Sequence, residues 1–190
     1  MVNILVVYDS KYGNSEKYAK MIATALNADI LPKKKTSYYI MTRYQIIIYG
    51  GGIYMDKING LNLIIDNYDA IKEKEIIVFS VGTKDPNDKE NFIALNKKLS
   101  KNKIFDNIKI YNFRGDINYK KLSIVDKTLI NLMYKNLTKK PENKLHSFEK
   151  EFLEIYNTKT NFVDEKNIKD LVEYVKKVEK RIEDEILNDK

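Results

Sequence analysis

Cysteine is absent from the 190 residues, histidine occurs once, at His146, and glycine only 7 times. Without cysteine the chain can form no disulfide, thiolate nucleophile or cysteine metal site, a usage compatible with the cytosol. One histidine excludes histidine-cluster metal sites, and His146 reads as an exposed loop residue. No apolar run approaches the length needed to span a bilayer. Residues 1–8 read as a strand, with no positively charged start ahead of an apolar region, so no signal peptide is expected. Of the few glycines, three are consecutive: Gly50-Gly51-Gly52.

What is present is a chain of 43% hydrophobic and 32% charged residues, long enough for one domain with a real core. The net charge of +7 is unevenly placed. Residues 101–150 carry 12 Lys or Arg against 5 Asp or Glu, whereas residues 151–190 carry 8 against 11. Such a basic stretch can attract acidic partners, anionic lipid or nucleic acid, although a general bias toward Lys, Asn, Ile and Tyr would also produce it.

Hydrophobic runs alternate with helical spacing along the chain. Ile4 to Tyr8 shows no polar alternation, as suits a strand buried on both faces of a parallel sheet, and Tyr18, Ala19, Ile22, Ala23 and Leu26 then share one helical face. Ala28 to Leu31 forms a short second strand, and Tyr44 to Tyr49 a third that stops at the glycines. A helix over Leu61 to Tyr68 leads to a fourth strand, Ile76 to Val81. Another helix follows at Phe92 to Leu99, then a fifth strand at Ile108 to Phe113. Ser123 caps a helix reaching Leu137, with Asp126 in its first turn; Val125, Leu129, Ile130, Leu132, Met133 and Leu137 form its broad apolar face. Asp164 caps a last helix whose stripe of Ile168, Leu171, Val172, Val175, Val178 and Ile182 covers the sheet. The expected architecture is an α/β sandwich around a five-stranded parallel sheet, one domain over 1–190, with a helical insertion at about 117–160.

On such sheets ligands sit beyond the carboxyl ends of the strands. Three loops meet that description: residues 9–15, 50–55 and 80–88. The first has no Gly-x-x-x-x-Gly-Lys and lacks the spaced glycines of a dinucleotide site. Ser10, Asn14, Ser15 and the N–H groups around Gly13 at a helix start suit one compact phosphate monoester, or are merely a capped turn. A phosphate-accepting receiver domain would need an aspartate at the end of the third strand, where this chain has Tyr49-Gly50-Gly51.

Together the three loops resemble the flavodoxin-like superfamily. Ser10-Lys11-Tyr12-Gly13-Asn14-Ser15 is similar to its phosphate loop. Gly51, Gly52, Ile53 and Tyr54, after Gly50, are similar to its first ring-binding loop, and Ser80, Val81, Gly82 and Thr83 to its second. The resemblance implies a flavodoxin-like three-layer sandwich with FMN as cofactor: Ser10, Asn14, Ser15 and backbone N–H groups at the phosphate, and the other two loops on either side of the ring. The basic charge departs from acidic electron carriers, and Gly82 to Asn91 offers no aromatic to stack on the ring, which leaves one face open. Phe113-Arg114-Gly115-Asp116-Ile117-Asn118-Tyr119, the helix after it and Thr160 to Asp164 resemble the menaquinone-dependent protoporphyrinogen IX dehydrogenase branch. That likeness implies removal of hydrogen from a porphyrinogen with electrons passed to a quinone. The alternative is an electron shuttle that works between redox proteins. The apolar face of the insertion helix either packs on the domain or borders the site, with Lys120, Lys121 and Lys127 near substrate carboxylates or anionic lipid. No catalytic acid or base, no metal and no nucleic-acid partner is expected. The expected location is cytoplasmic, with contact at the inner membrane face as one arrangement.

Overall fold

The computed structural model describes residues 2–188. Strands β1 (Ile4–Asp9), β2 (Asp29–Pro32) and β3 (Ile46–Tyr54) are followed by a two-residue strand, β4 (Lys57–Ile58), then β5 (Glu75–Gly82) and β6 (Lys109–Arg114). The order is β2-β1-β3-β5-β6, all parallel, with β4 antiparallel to the end of β3. Eight α-helices complete the described chain: α1 (Asn14–Leu26), α2 (Tyr38–Met41), α3 (Asn62–Ile65), α4 (Tyr68–Ile71), α5 (Ile93–Leu99), α6 (Ile124–Leu137), α7 (Ser147–Ile155) and α8 (Lys169–Asn188).

The uninterrupted hydrophobic runs are explained by burial on both faces of the sheet. Ile4 and Val6 of β1, Ile46 and Ile48 of β3 and Ile77 and Phe79 of β5 pack beneath α1 and α8. Leu5, Val7, Ile47, Tyr49, Ile76 and Val78 point the other way, against Met41, Ile64, Ile71, Leu95 and Leu99 of the remaining sheet-covering helices. Successive strand residues face opposite sides, so both layers draw on one run. This is the three-layer, five-stranded parallel arrangement that the resemblance implies.

Three local expectations need correction. β3 does not stop at the glycines but runs through them to Tyr54, then folds back into β4 across Met55 and Asp56, both with positive φ, 49° and 53°. The helix expected over Leu61 to Tyr68 is two single turns, α3 and α4. Asp164 caps a short 3₁₀ turn, Glu165–Ile168, that runs into α8, accepting from Lys166 N at 2.9 Å. Within the insertion expected at about 117–160, a second helix, α7, follows α6 after Pro141, its start held by the Glu149 carboxylate accepting from His146 N at 3.1 Å.

Between β6 and α8 the chain leaves the sheet, forms α6 and α7, and returns. Its two limbs meet at a narrow neck. Thr160 N donates to Ile117 O at 2.9 Å, Ile117 N to Thr160 Oγ1 at 2.8 Å and Tyr119 N to Thr158 O at 3.3 Å. Among the described residues no helix is long and apolar enough to cross a membrane.

Candidate functional site

A cleft of about 900 Å³ opens at the carboxyl ends of β1, β3 and β5, between these strand ends and α6. That volume lies in the usual range of small-molecule and cofactor sites. Ser10, Lys11, Tyr12, Asn14, Ser15, Gly52, Ile53, Tyr54, Val81, Gly82 and Thr83 all line it. The three loops singled out in the sequence are thus brought together at one rim.

The first loop turns from β1 into α1 at Gly13, whose φ of 89° is left-handed and favours glycine. Lys17 N donates to Gly13 O at 2.9 Å, closing the first helical turn. The N–H groups ahead of it have no preceding carbonyl to bond, so they and the helix dipole present a positive end to the cleft. Gly13 itself sits behind this end and does not line the cleft. Asn14 is partly spent on the fold: its Nδ2 donates to Asp116 O at 2.6 Å. Ser15 is buried and faces Gly52, where an added Cβ would lie 3.9 Å from the serine Oγ.

The three consecutive glycines have three different reasons. A Cβ at Gly50 would fall 1.8 Å from the Phe79 ring, and one at Gly51 2.3 Å from Asn59 O. These two positions are glycine because the chain's own atoms fill the space a side chain would need, and neither Gly50 nor Gly51 lines the cleft. Only Gly52 keeps open space, with no atom nearer than 3.6 Å to an added Cβ. Beyond it, Ile53 packs on Gly82, and the half-exposed Tyr54 ring lies 5.7 Å from Lys11 Nζ. Ser80 is also drawn away: it is fully buried, and its hydroxyl donates to Asn112 Oδ1 at 2.6 Å. Val81, Gly82 and Thr83 do reach the cleft, and the Thr83 carbonyl is fixed by Arg114 Nε at 3.0 Å. Arg114 lies over the Phe162 ring and pairs with Glu151 of α7, so the third loop is tied to the returning limb of the insertion.

The rest of the lining lies outside the three loops: Asn59 beside Gly52, and on the facing wall Ile117, Leu122, Asp126, Leu129 and Ile130, of the stretch that resembles the protoporphyrinogen branch. Asn59 had no sequence signal, since its place depends on the β3–β4 hairpin. Asp126 is the central one. It is buried on α6, and it accepts from Lys11 Nζ at 2.6 Å and from the Tyr12 hydroxyl, while Ser123 N donates to Tyr12 Oη at 3.1 Å. Its own backbone N–H is capped by Ser123 Oγ. The hydrogen bonds from Lys11 and Tyr12 hold the Asp126 carboxyl below the usual aspartate value, and the same contact raises Lys11. The second carboxylate oxygen, Oδ1, is buried without a partner. An unsatisfied carboxylate oxygen on a cleft wall is costly unless a donor reaches it.

α6 is not arranged as expected. Asp126 and Leu137 are buried and Ile130 and Met133 partly so, but Val125, Leu129 and Leu132 of the anticipated packing face are exposed. Of the three lysines proposed near substrate, Lys121 lines the cleft. Lys127 instead donates to Lys120 O at 3.2 Å beside the Tyr119 ring.

Chemically, the cleft offers an anion seat at the start of α1 and, beside it, a floor made by Gly52 to Tyr54 packed against Val81 to Thr83. Its far wall is apolar at Ile117, Leu122, Leu129 and Ile130 and polar at Asn118, Lys121, Asp126 and Lys159. A group with a single phosphate and a broad ring fits this set: the open space at Gly52 is where a side chain would otherwise intrude.

A family model described as a flavodoxin domain matches residues 5–144. An uncharacterised protein of Methanocaldococcus jannaschii is 46% identical over 54 residues, which are 28% of this chain and 36% of that protein, so the match spans about a third of the relative's length. Among solved structures, the Trp repressor binding protein of Bacillus subtilis is 20% identical, with 60% of this chain and 85% of that chain covered and a TM-score of 0.45. For oxidised flavodoxin 1 of Bacillus cereus the values are 17%, 60%, 84% and 0.42.

Proposed function

Because the family match takes in most of the chain, the protein belongs to the flavodoxin domain family, and from that premise we propose that it is an FMN-dependent oxidoreductase with a substrate of its own. The cofactor is FMN, whose ring accepts and returns electrons while the protein positions it. Ser10, Ser15 and the first-turn N–H groups of α1 would hold the phosphate. Gly52 to Tyr54 and Val81 to Thr83 would flank the ring. Lys11 is held at Asp126, so it supplies background positive charge to this end of the cleft while bracing the loop.

The observation that carries the reading is the second wall. Ile117, Leu122, Leu129 and Ile130 face the flavin loops across the cleft, with Lys121 and Lys159 at the same lining. A pure carrier needs its flavin edge open to a protein partner; here the insertion encloses space beside it. An apolar wall with cationic rim groups suits a flat, hydrophobic compound carrying carboxylates. A porphyrinogen is such a compound. On this reading each turnover would take two hydrogens from the porphyrinogen and reduce one quinone to a quinol, with bound FMN supplying the redox relay, and three turnovers would complete the porphyrin.

The test is anaerobic reduction of the FMN-loaded protein by protoporphyrinogen with no partner protein, followed by reoxidation on adding a quinone. Bleaching of the flavin absorbance is expected on adding protoporphyrinogen, and porphyrin fluorescence once quinone in at least about threefold excess lets the two-electron cycle repeat. Reduction only by a redox protein would assign the shuttle role instead.

A further inference from the structure

We infer that α6 and its flanks dock on an anionic lipid surface. The helix carries apolar side chains on the side away from the domain: Ile124 is 84% exposed, Val125 66% and Leu132 56%. At about 100° per residue these three lie within a third of the helix circumference, and Leu129 lies just beyond Val125. A helix of a water-dissolved domain turns polar residues to that side. Here Ile124, Val125, Leu129 and Leu132 share that side with the exposed Thr128, Lys135 and Asn136, so aliphatic side chains are interleaved with polar ones and left uncovered by the described chain.

The charge around the row is of one sign. Residues 117–141 contain six lysines and a single acid, Asp126. That acid is buried and already paired with Lys11, so it offsets none of the outward charge. Lys140 pairs with Glu149, and Lys127 turns to the Lys120 carbonyl. Lys120, Lys121, Lys135 and Lys139 remain on the surface and have no carboxylate partner among the described residues.

Exposed aliphatic side chains flanked by unpaired lysines match the interface of a bilayer with acidic headgroups: the apolar row enters the acyl boundary and the ammonium groups stay at headgroup level. Two copies of the helix face to face would bring lysines against lysines with no acid to relieve them. A nucleic acid would satisfy the lysines but leave the aliphatic row in water. Leu129 and Lys121 belong both to this surface and to the cleft lining. Docking therefore turns one lip of the cleft to the lipid, where a lipid-dissolved redox partner reaches it directly.

The full chain is floated with vesicles of phosphatidylcholine alone, or of phosphatidylcholine with phosphatidylglycerol, at low and high salt. Binding to the anionic vesicles, weakened by salt, is expected. V125Q and L132Q, both outside the cleft, are expected to lower partitioning about tenfold each. K135Q and K139Q lower it about fivefold each at low salt. Unchanged circular dichroism and FMN content show that these variants are folded. The inference is overturned by any of four results: no binding to the anionic vesicles, equal binding by wild type and V125Q/L132Q, a dimer that V125Q/L132Q dissociates, or binding of duplex DNA in place of vesicles.

Discussion

At Gly50 and Gly52 the same residue type serves opposite ends. Gly50→Ala forces a methyl into the Phe79 ring and is expected to cost about 1–3 kcal/mol, read as a lower urea midpoint. Gly52→Ala meets nothing closer than 3.6 Å, and at its extended backbone it is expected to leave stability unchanged or raise it by roughly 0.5 kcal/mol. Its methyl instead occupies the cleft, so FMN titration should show affinity reduced by at least about tenfold while the fold persists. Asp126 supplies a pH prediction. Its folded value is lowered from 3.8, so the stability from its bonds to Lys11 and Tyr12 is complete above 3.8 and is lost as pH falls through the lowered value. Lys11 is raised from 10.5, so its share is complete below 10.5 and is lost only as pH rises through the raised value. Asp126→Asn is expected to cost about 2 kcal/mol at neutral pH and to flatten the acid limb of a stability profile measured by urea unfolding. These roles were legible only in part. Asp126 could be placed in the first turn of its helix from sequence, but its partners stand more than a hundred positions earlier, where no local pattern points to them.

At the scale of elements, legibility followed burial. β1, β3 and β5 were readable because a strand buried on both faces admits only apolar residues, and α8 because its stripe repeats every three or four positions. The β3–β4 hairpin was hidden by its turn. Met55 and Asp56 both take the left-handed conformation, where Asn-Gly would have announced a two-residue hairpin. Replacing them with Asn and Gly is expected to stabilise the protein by about 1 kcal/mol, observable as a melting point a few degrees higher. The loss of the exposed Asp56–Lys98 contact subtracts little. The split of α6 between a covered and an exposed side was also beyond the sequence. Its apolar residues spread around most of the helix, and spacing alone does not say which portion meets the domain.

For the whole molecule, the cleft is assembled from parts far apart in sequence, so ligand binding should be felt at all of them. FMN at about 100-fold over its dissociation constant is expected to add about 2.7 kcal/mol to stability, and removal by dialysis to take it away. Hydrogen exchange should slow together at residues 10–15, 52–54, 81–83 and 122–130. Slowing confined to the first three groups would place the cofactor clear of the insertion wall. The three loops at the rim of the cleft were visible in sequence as short motifs. The compartment beside them was not, because it exists only where α6 returns over the strand ends.

The neck at Ile117, Tyr119, Thr158 and Thr160 gives the molecule a further property. Its two limbs are hydrogen-bonded side by side, so the chain enters and leaves the α6–α7 segment at nearly the same point. The strand register of the core sheet is thus set without what lies beyond the neck, although Lys11, Tyr12 and Arg114 take partners there in Asp126 and Glu151. A short turn spliced between residues 119 and 158 would leave β6 and α8 in register, and another protein's helices could be transplanted there. The fold keeps the sheet and its loops as a fixed chassis and carries the second wall of the cleft as an exchangeable part.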